Sequence, residues 1–433
     1  MDPLLIAGIL TVVLFVLLAA GLWVSLTLML LGLLTMVMLD NNASGLIFAT
    51  TTWGASSSWA LTALPLFIWM GEILFRTRLS EDLFEGLTPW LSKFPGQLFH
   101  VNILSCGIFA AVSGSSAATA ATIGRMTLPE LKQRGYDTRM AIGTLAGSGT
   151  LGLLIPPSII LIVYGVAAEV SVARLFMAGA VPGLLLVVLF MGYTALWAKL
   201  SPKSVPQDTR HFTWADKFKA IRNLIPVLSL IIFVLGSIYT GLTTPSEAAA
   251  FGVAGALILS LISGTLSTKS FNESLMGAVK TSCMIALILA GAAFLTISMG
   301  FLGLPRMLAE MIATLQLSPY MLLVYLTFLF VILGCFLDGI SVVVLTTSVV
   351  LPMVQQAGID LLWFGIYIVL VVEMAQITPP VGFNLFVIQA LSGKNILYIG
   401  RAALPFFMLI MLAVVLITVF PSIVTALPDL MVN

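Results

Sequence analysis

The sequence predicts an all-α, polytopic membrane protein built as an inverted-topology repeat, with two re-entrant helical hairpins and two helices broken at Pro-Pro. Three observations carry this expectation. The first is composition. Of 433 residues, 60% are hydrophobic and 9% charged, whereas soluble domains carry roughly a quarter charged residues. Apolar runs of about 20 residues recur from end to end, the length a membrane-spanning helix needs. The second is repetition. Pro129, Pro156, Pro157 and Pro182 recur as Pro352, Pro379, Pro380 and Pro405, each displaced by 223 residues. Gln133, Gly135 and Asp137 shift equally onto Gln356, Gly358 and Asp360, and no other proline lies in 128–182 or 351–405.

The third observation is charge asymmetry. Fourteen of the nineteen Lys and Arg residues lie between Arg76 and Arg222. Arg125, Lys132, Arg134 and Arg139 follow the first hairpin, while the equivalent window 348–362 has no basic residue. Six basic residues run from Lys199, at the end of the helix at 172–199, to Arg222; none follows 402–421. Under the positive-inside rule the two copies face opposite ways. The net charge of +1 argues against nucleic acid as a partner.

Along the chain, helices are expected at 3–20 and 22–39, or as one long tilted helix over 3–39, with an interfacial piece at 44–57; residues 1–58 form N-terminal scaffold helices. The apolar run from Leu4 to Leu39 reads as a retained helix rather than a cleaved signal, because no basic segment precedes it. The first repeat unit, 59–199, holds a helix at 59–76, a hairpin at about 98–128, a broken helix at about 139–168 and a helix at 172–199. Residues 200–282 supply a loop, connecting helices at 222–241 and 246–266, and an amphipathic arm at 268–282. The second unit, 283–433, mirrors the first: 283–300, a hairpin at about 319–351, a broken helix at about 361–390, and a last helix at 402–421.

Breaks at membrane depth require a reason. An unpaired backbone group in hydrocarbon costs several kcal/mol, so such elements must be buried in protein or line a wet cavity. The first tip, Ser113-Gly114-Ser115-Ser116-Ala117-Ala118-Thr119, is small and hydroxyl-rich, and the first break runs Gly147-Ser148-Gly149-Thr150 to Pro156-Pro157-Ser158. The second tip is near Asp338-Gly339-Ile340-Ser341, and the second break reads Glu373-Met374-Ala375-Gln376-Ile377-Thr378-Pro379-Pro380, then Gly382 and Asn384. Pro-Pro followed by a polar residue ends a helix outright. Isolated Gly and Ser in membrane helices are commonly packing residues; recurrence at matched positions favours a site instead.

Unwound carbonyls with Ser, Thr, Asp and Gln oxygens suit a hard cation, so each tip-plus-break pair points to Na⁺. The half-helix N-termini turn positive partial charge toward the same depth and favour an anionic solute, particularly a carboxylate. Ser116, Thr119, Ser158, Asp338, Ser341 and Asn384, all at or beside those starts, are the candidate solute contacts. A charged carboxylate at bilayer depth costs about 3 kcal/mol on insertion scales and is rarely idle, which singles out Asp338 and then Glu373. Glu72 and Glu247 lie near helix ends, and Glu169 and Glu310 are expected to face water.

Cys106, Cys283 and Cys335 lie apart in apolar segments and read as buried small hydrophobes. His100 and His211 are expected to be structural or exposed. An intramembrane enzyme would need a convergent nucleophile–base or metal set. With two distant histidines and no His-Glu-x-x-His or Gly-x-Ser-x-Gly, only Asp338 and Asp360 remain, at a tip and a loop. A passive channel or scaffold is a further class, marked by absence of coupling to Na⁺.

Four stretches carry a resemblance: LPELKQRGYDTRMAIGTLAGSGTLGLLIPPSIILIVYG (128–165), TTPSEAAAFG (243–252), LDGIS (337–341) and EMAQITPPVGFNLFV (373–387). They resemble the large membrane subunit of tripartite ATP-independent periplasmic (TRAP) transporters, along essentially the whole chain. The resemblance implies an elevator-type secondary transporter of the bacterial inner membrane, driven by Na⁺ as coupling ion, with no other cofactor. It implies import of an organic acid such as a C4-dicarboxylate or sialic acid, delivered by a periplasmic substrate-binding protein. A small four-helix membrane subunit pairs with the scaffold; both partners are expected to be separate polypeptides. The resemblance places Na⁺ near Ser113, Gly114, Ser115 and Ser116 with Gly147, Gly149 and Thr150, and near Asp338 and Gly339 with Met374, Gln376 and Thr378. An autonomous Na⁺–anion symporter of similar architecture is the alternative, disfavoured by the four stretches.

Overall fold

A computed structural model describes residues 3–206, 212–307, 310 and 318–430; Met1, Asp2 and His211 lie outside the described residues. The described chain is helical, with no strand. The N-terminal part comprises α1 (Pro3–Ala19), α2 (Val24–Met38) and α3 (Ser44–Ser56). Gly21, at φ +82°, turns the chain between α1 and α2, so 3–39 is two helices. The first unit follows as α4 (Ala63–Phe75), α5 (Leu79–Leu91), α6 (Leu98–Ser113), α7 (Ser116–Gln133), α8 (Thr138–Thr150), α9 (Ile159–Ala167) and α10 (Val172–Leu200). Then come α11 (Trp214–Tyr239), α12 (Pro245–Ile262) and α13 (Thr268–Leu302). The second unit holds α14 (Pro319–Gly334), α15 (Gly339–Gln356), α16 (Leu361–Gln376), α17 (Phe383–Ser392), α18 (Ile396–Val419) and α19 (Ser422–Asp429).

Five of these helices, α10 to α13 and α18, are long and apolar enough to cross a membrane. Of the shorter apolar helices, Leu98–Ser113 and Pro319–Gly334 each lead into a tip, and Leu361–Gln376 and Phe383–Ser392 flank the second break. The two units repeat the same series: hairpin, helix, break, helix, long helix. Both Pro-Pro bonds, Pro156–Pro157 and Pro379–Pro380, are cis.

Four details depart from the sequence expectations, each for a local reason. The 268–282 segment is not a separate arm: α13 is one helix of 35 residues, about 52 Å at 1.5 Å per residue. Nothing in it breaks the helix, and its polar first half is held by packing on α4, where Trp69 Nε1 donates to Ser274 Oγ at 3.3 Å. Helix α11 starts at Trp214 because Thr213 and Asp216 form a capping box. Helix α18 starts at Ile396, capped by Asn395 through Leu397 N at 3.0 Å. The amphipathic α5 and the C-terminal α19 were not expected; they pack against α6 and α11, and against α10. Cys106 and Cys335 are buried as expected, whereas Cys283 is exposed on α13. His100 is buried, with Nε2 2.7 Å from Pro95 O.

Two bodies emerge from the packing. Helix α13 lies along α2, α3 and α4, and α4 packs on α12. The hairpins and broken helices form the other body, and there the units interlock. The first unit's α8 packs on α18 of the second, while the second unit's α16 packs on α10 of the first. Helix α17 lies on α7, and α9 on α15. Each break is thus clasped by the hairpin of the other unit as well as its own.

Small residues permit this approach. A Cβ on Gly143 would stand 2.5 Å from Ala402 O, so α8 and α18 meet at backbone distance. Gly143→Val is therefore expected to lower the stability of the purified protein by about 2 kcal/mol through overpacking. Gly192→Ala on α10, with nothing within 4 Å of the added carbon, should be neutral or slightly stabilising. Thermal unfolding in detergent checks both, and equal melting temperatures would refute the close-approach argument.

Candidate functional site

Both tips and both breaks are built from backbone groups that find partners outside regular helix. Helix α6 ends at Ser113, and Gly114 turns the chain at φ +58°. A Cβ there would stand 2.9 Å from Pro157 O, so glycine is required both for the conformation and for the contact with the break. Ile159 N donates to Gly114 O at 3.4 Å, tying break to tip. Ser115 caps α7, accepting from Ala118 N at 3.4 Å. Ser115 O accepts from Thr119 Oγ1 at 2.8 Å, and Thr119 Oγ1 lies 2.8 Å from Ser113 Oγ. Three oxygens thus converge at the first tip.

The second tip uses a carboxylate where the first uses a hydroxyl. Asp338 caps α15, accepting from Ser341 N at 3.3 Å and from Ser341 Oγ. In the second break Thr378 Oγ1 donates to Met374 O at 2.6 Å. Gly382, at φ +44°, leaves room for carbonyls: a Cβ there would lie 2.7 Å from Thr378 O and 3.0 Å from Gln376 O. Hydroxyl, carbonyl and carboxylate oxygens gather at both sites, the type of ligand that hard cations take.

A cavity of about 470 Å³ lies between the tips. Ser113–Ala118 line one side and Asp338, Gly339, Ile340 and Gln376 another; Glu72, Phe75, Thr281 and Met284 close it from α4 and α13. Among the described residues, no lysine or arginine lines the cavity. Glu72 is paired with Arg76, which also approaches Glu273 at 3.8 Å. Inside the wall, Ser116 Oγ donates to Gln376 Oε1 at 2.8 Å, joining the first tip to the second break.

Of the sequence-predicted residues, the structure brings Ser113, Gly114, Ser115, Ser116, Asp338, Gly339 and Gln376 to this cavity. Thr119, Ser158, Ser341 and Asn384 are buried behind it. Ser158 caps α9 and donates to Leu153 O; Ser341 is engaged by Asp338. Asn384 is fully buried with both amide atoms unpartnered. Gly147 and Gly149 have packing roles: added Cβ atoms would meet Phe406 at 2.6 Å and Ala120 at 2.9 Å. Met374 is buried with its carbonyl engaged by Thr378, and Thr150 Oγ1 donates to Gly147 O at 2.8 Å. Asp360 caps α16 through Trp363 N at 2.8 Å. The α4 and α13 contributions were missed, because no local pattern announces which scaffold face meets a tip.

The model of the family described as tripartite ATP-independent periplasmic transporter, DctM component, matches residues 11–423. The chain belongs to that family. As a DctM-family chain it is a transporter permease of the TRAP type, not an enzyme. It is 32% identical over 376 residues to the C4-dicarboxylate TRAP transporter large permease protein DctM of Pseudomonas aeruginosa, covering 86% of this chain and 87% of that one. It is 29% identical over 418 residues to the sialic acid TRAP transporter large permease protein SiaM of Vibrio cholerae, covering 96% of each. The isethionate TRAP transporter permease protein DctMQ of Oleidesulfovibrio alaskensis is 34% identical over 370 residues, 84% of this chain and 57% of that protein. Among solved structures, the YdaH transporter of Alcanivorax borkumensis superposes with TM-score 0.61 at 16% identity, over 88% of this chain and 90% of its own. It supports the fold alone.

The DctM-family chain also holds an intramembrane acid that its caps and pairs do not use. Glu373 on α16 is fully buried, with only the Thr150 hydroxyl beside its carboxyl and no well-formed hydrogen bond to either oxygen. Burying a polar group without a partner costs about 1–3 kcal/mol in proteins. Glu373→Met should raise the melting temperature of the purified permease by several degrees while reducing transport below a tenth of wild type. A lowered melting temperature would mean that the carboxylate is structurally satisfied in the folded protein.

Proposed function

We propose that this chain is the transport subunit of a Na⁺-coupled secondary importer of an organic acid, of the C4-dicarboxylate or sialic acid class. On this reading the solute arrives on a periplasmic binding protein, and a small four-helix membrane subunit pairs with the scaffold in the bacterial inner membrane. The observation that carries it is the cavity between the tips. It is shared by the hairpin body and the α4–α13 body, and two half-helices, α7 and α15, begin at it.

The physical argument runs through charge. Without a lining lysine or arginine, a carboxylate must be held by helix N-termini, neutral donors and co-bound cations. Na⁺ at the oxygen clusters of the tips and breaks would supply that charge, so solute and ion bind best together. That is symport coupling stated as electrostatics. The matched units, oppositely oriented under the positive-inside rule, give an inverted repeat. The hairpin body moves against the α4–α13 scaffold in an elevator motion and carries the site across.

Uptake into proteoliposomes containing this chain and a small subunit is expected to require an outside-high Na⁺ gradient and the cognate binding protein. Uptake by this chain alone would make it an autonomous symporter, and uptake without Na⁺ would remove the coupling. Asp338→Asn keeps a capping side chain and should abolish uptake in a folded protein; wild-type transport would remove Asp338 from the site. Ser115→Ala and Thr378→Ala should each raise the Na⁺ concentration for half-maximal uptake several-fold, and unchanged Na⁺ curves would count against coordination there.

A further inference from the structure

Gln376 stands apart in the cavity wall. Among the described residues that line it, Gln376 alone has a side chain with N–H donors. Its Oε1 is taken by Ser116 Oγ at 2.8 Å, which turns the Nε2 donors the other way. Nε2 lies at the start of α15: a Cβ on Gly339 would stand 3.0 Å from it. Glycine at that first helical position leaves the space in which the amide and the helix N-terminus adjoin.

The repeat sharpens the point. The 223-residue shift pairs Gln376 with Leu153, and Leu153 lines the same cavity. The same shift pairs Ser116 with Gly339. One wall therefore presents an apolar side chain where the other presents a donor, and each tip supplies what the other lacks. A solute in this cavity meets two unlike ends.

We infer that Gln376 is a specificity-determining residue, whose Nε2 donates to the anionic head of the solute as that head sits over the N-terminus of α15. Ser116 is the positioning residue that holds the amide in the donating orientation. The head is a carboxylate or sulfonate, planar or tetrahedral oxygens that accept from an amide and a helix start together. This departs from the expectation that Gln376 is a Na⁺ ligand, since its side-chain oxygen is engaged by Ser116. The inference rests on the importer reading above.

The test compares Gln376→Leu, Gln376→Glu and Ser116→Ala with wild type in the full complex. Succinate, sialic acid and isethionate are the probes. Uptake kinetics and calorimetric solute binding in detergent at saturating Na⁺ are both read. Gln376→Leu, which installs the residue found at the matched position, should raise KM and Kd at least about tenfold for whichever probe the wild type accepts. The Na⁺ concentration for half-maximal uptake should not move. Gln376→Glu keeps an acceptor for Ser116 but replaces the donors with charge, so it should be worse than Gln376→Leu; Ser116→Ala should cost less than either. If the glutamate variant matches wild type, the amide is structural and the inference fails. If the leucine variant shifts only the Na⁺ dependence, Gln376 is an ion ligand and the inference fails. Absence of Na⁺-dependent uptake by the wild type with all three probes, despite calorimetric binding, would instead overturn the importer reading. A melting temperature near wild type for Gln376→Leu excludes misfolding as the cause.

Discussion

A membrane protein that interrupts its own helices must satisfy the freed backbone without water, and this constraint organises the molecule. In hydrocarbon an orphaned carbonyl or amide costs several kcal/mol, comparable with the net stability of a whole domain. Tips and breaks answer one another. Gly114 O accepts from Ile159 N at 3.4 Å, and Thr378 Oγ1 and Thr119 Oγ1 are spent on Met374 O and Ser115 O. Ser115, Ser158 and Asp338 cap the helices that restart. Because each break is also clasped by the other unit's hairpin, no tip can shift far without exposing backbone elsewhere. The hairpins and broken helices of both units are thereby tied into one packed body.

The duplication supplies this architecture twice, yet its chemistry has diverged where the cavity is lined. Ser115 matches Asp338, Ser116 matches Gly339, Leu153 matches Gln376, and Thr150 matches Glu373. Every pair keeps a structural task on one or both sides: Ser115 and Asp338 both cap. At three of these pairs the second unit has a carboxylate or an amide where the first has a hydroxyl or an apolar group; at Ser116 and Gly339 the hydroxyl is on the first. Symmetry thus explains the shelter, and the departures from symmetry make its two ends chemically unlike.

The sequence revealed the hairpins and breaks because prolines and glycines act locally. Pro156, Pro157, Pro379 and Pro380 end helices regardless of what surrounds them. The tip residues Ser113–Ser116, Asp338 and Gly339 were readable for the same reason, as was the turn around Asp360 before α16. What escaped depends on tertiary packing. Whether 268–282 stays apart from 283–300 is decided by α4, whose Trp69 bonds Ser274. The amphipathic α5 was hidden because its partner faces lie on α6 and α11. Nothing local distinguishes Ser158, turned inward as a cap, from Ser116, turned to the cavity. The family model matches residues 11–423, but a family match does not say which side chain faces the cavity.

The two sides of the cavity differ in kind. Its hairpin side is built from backbone turns that are costly to rearrange, while its α4–α13 side offers Phe75, Thr281 and Met284 together with a Glu72 already neutralised by Arg76. A charged residue left unpaired on the scaffold would hold a co-bound ion or solute in place by attraction and oppose its departure. Pairing Glu72 on its own helix, at i,i+4, removes most of that pull. The scaffold side of the cavity thus presents mainly apolar and internally paired groups, while the helix starts and unwound backbone lie on the hairpin side.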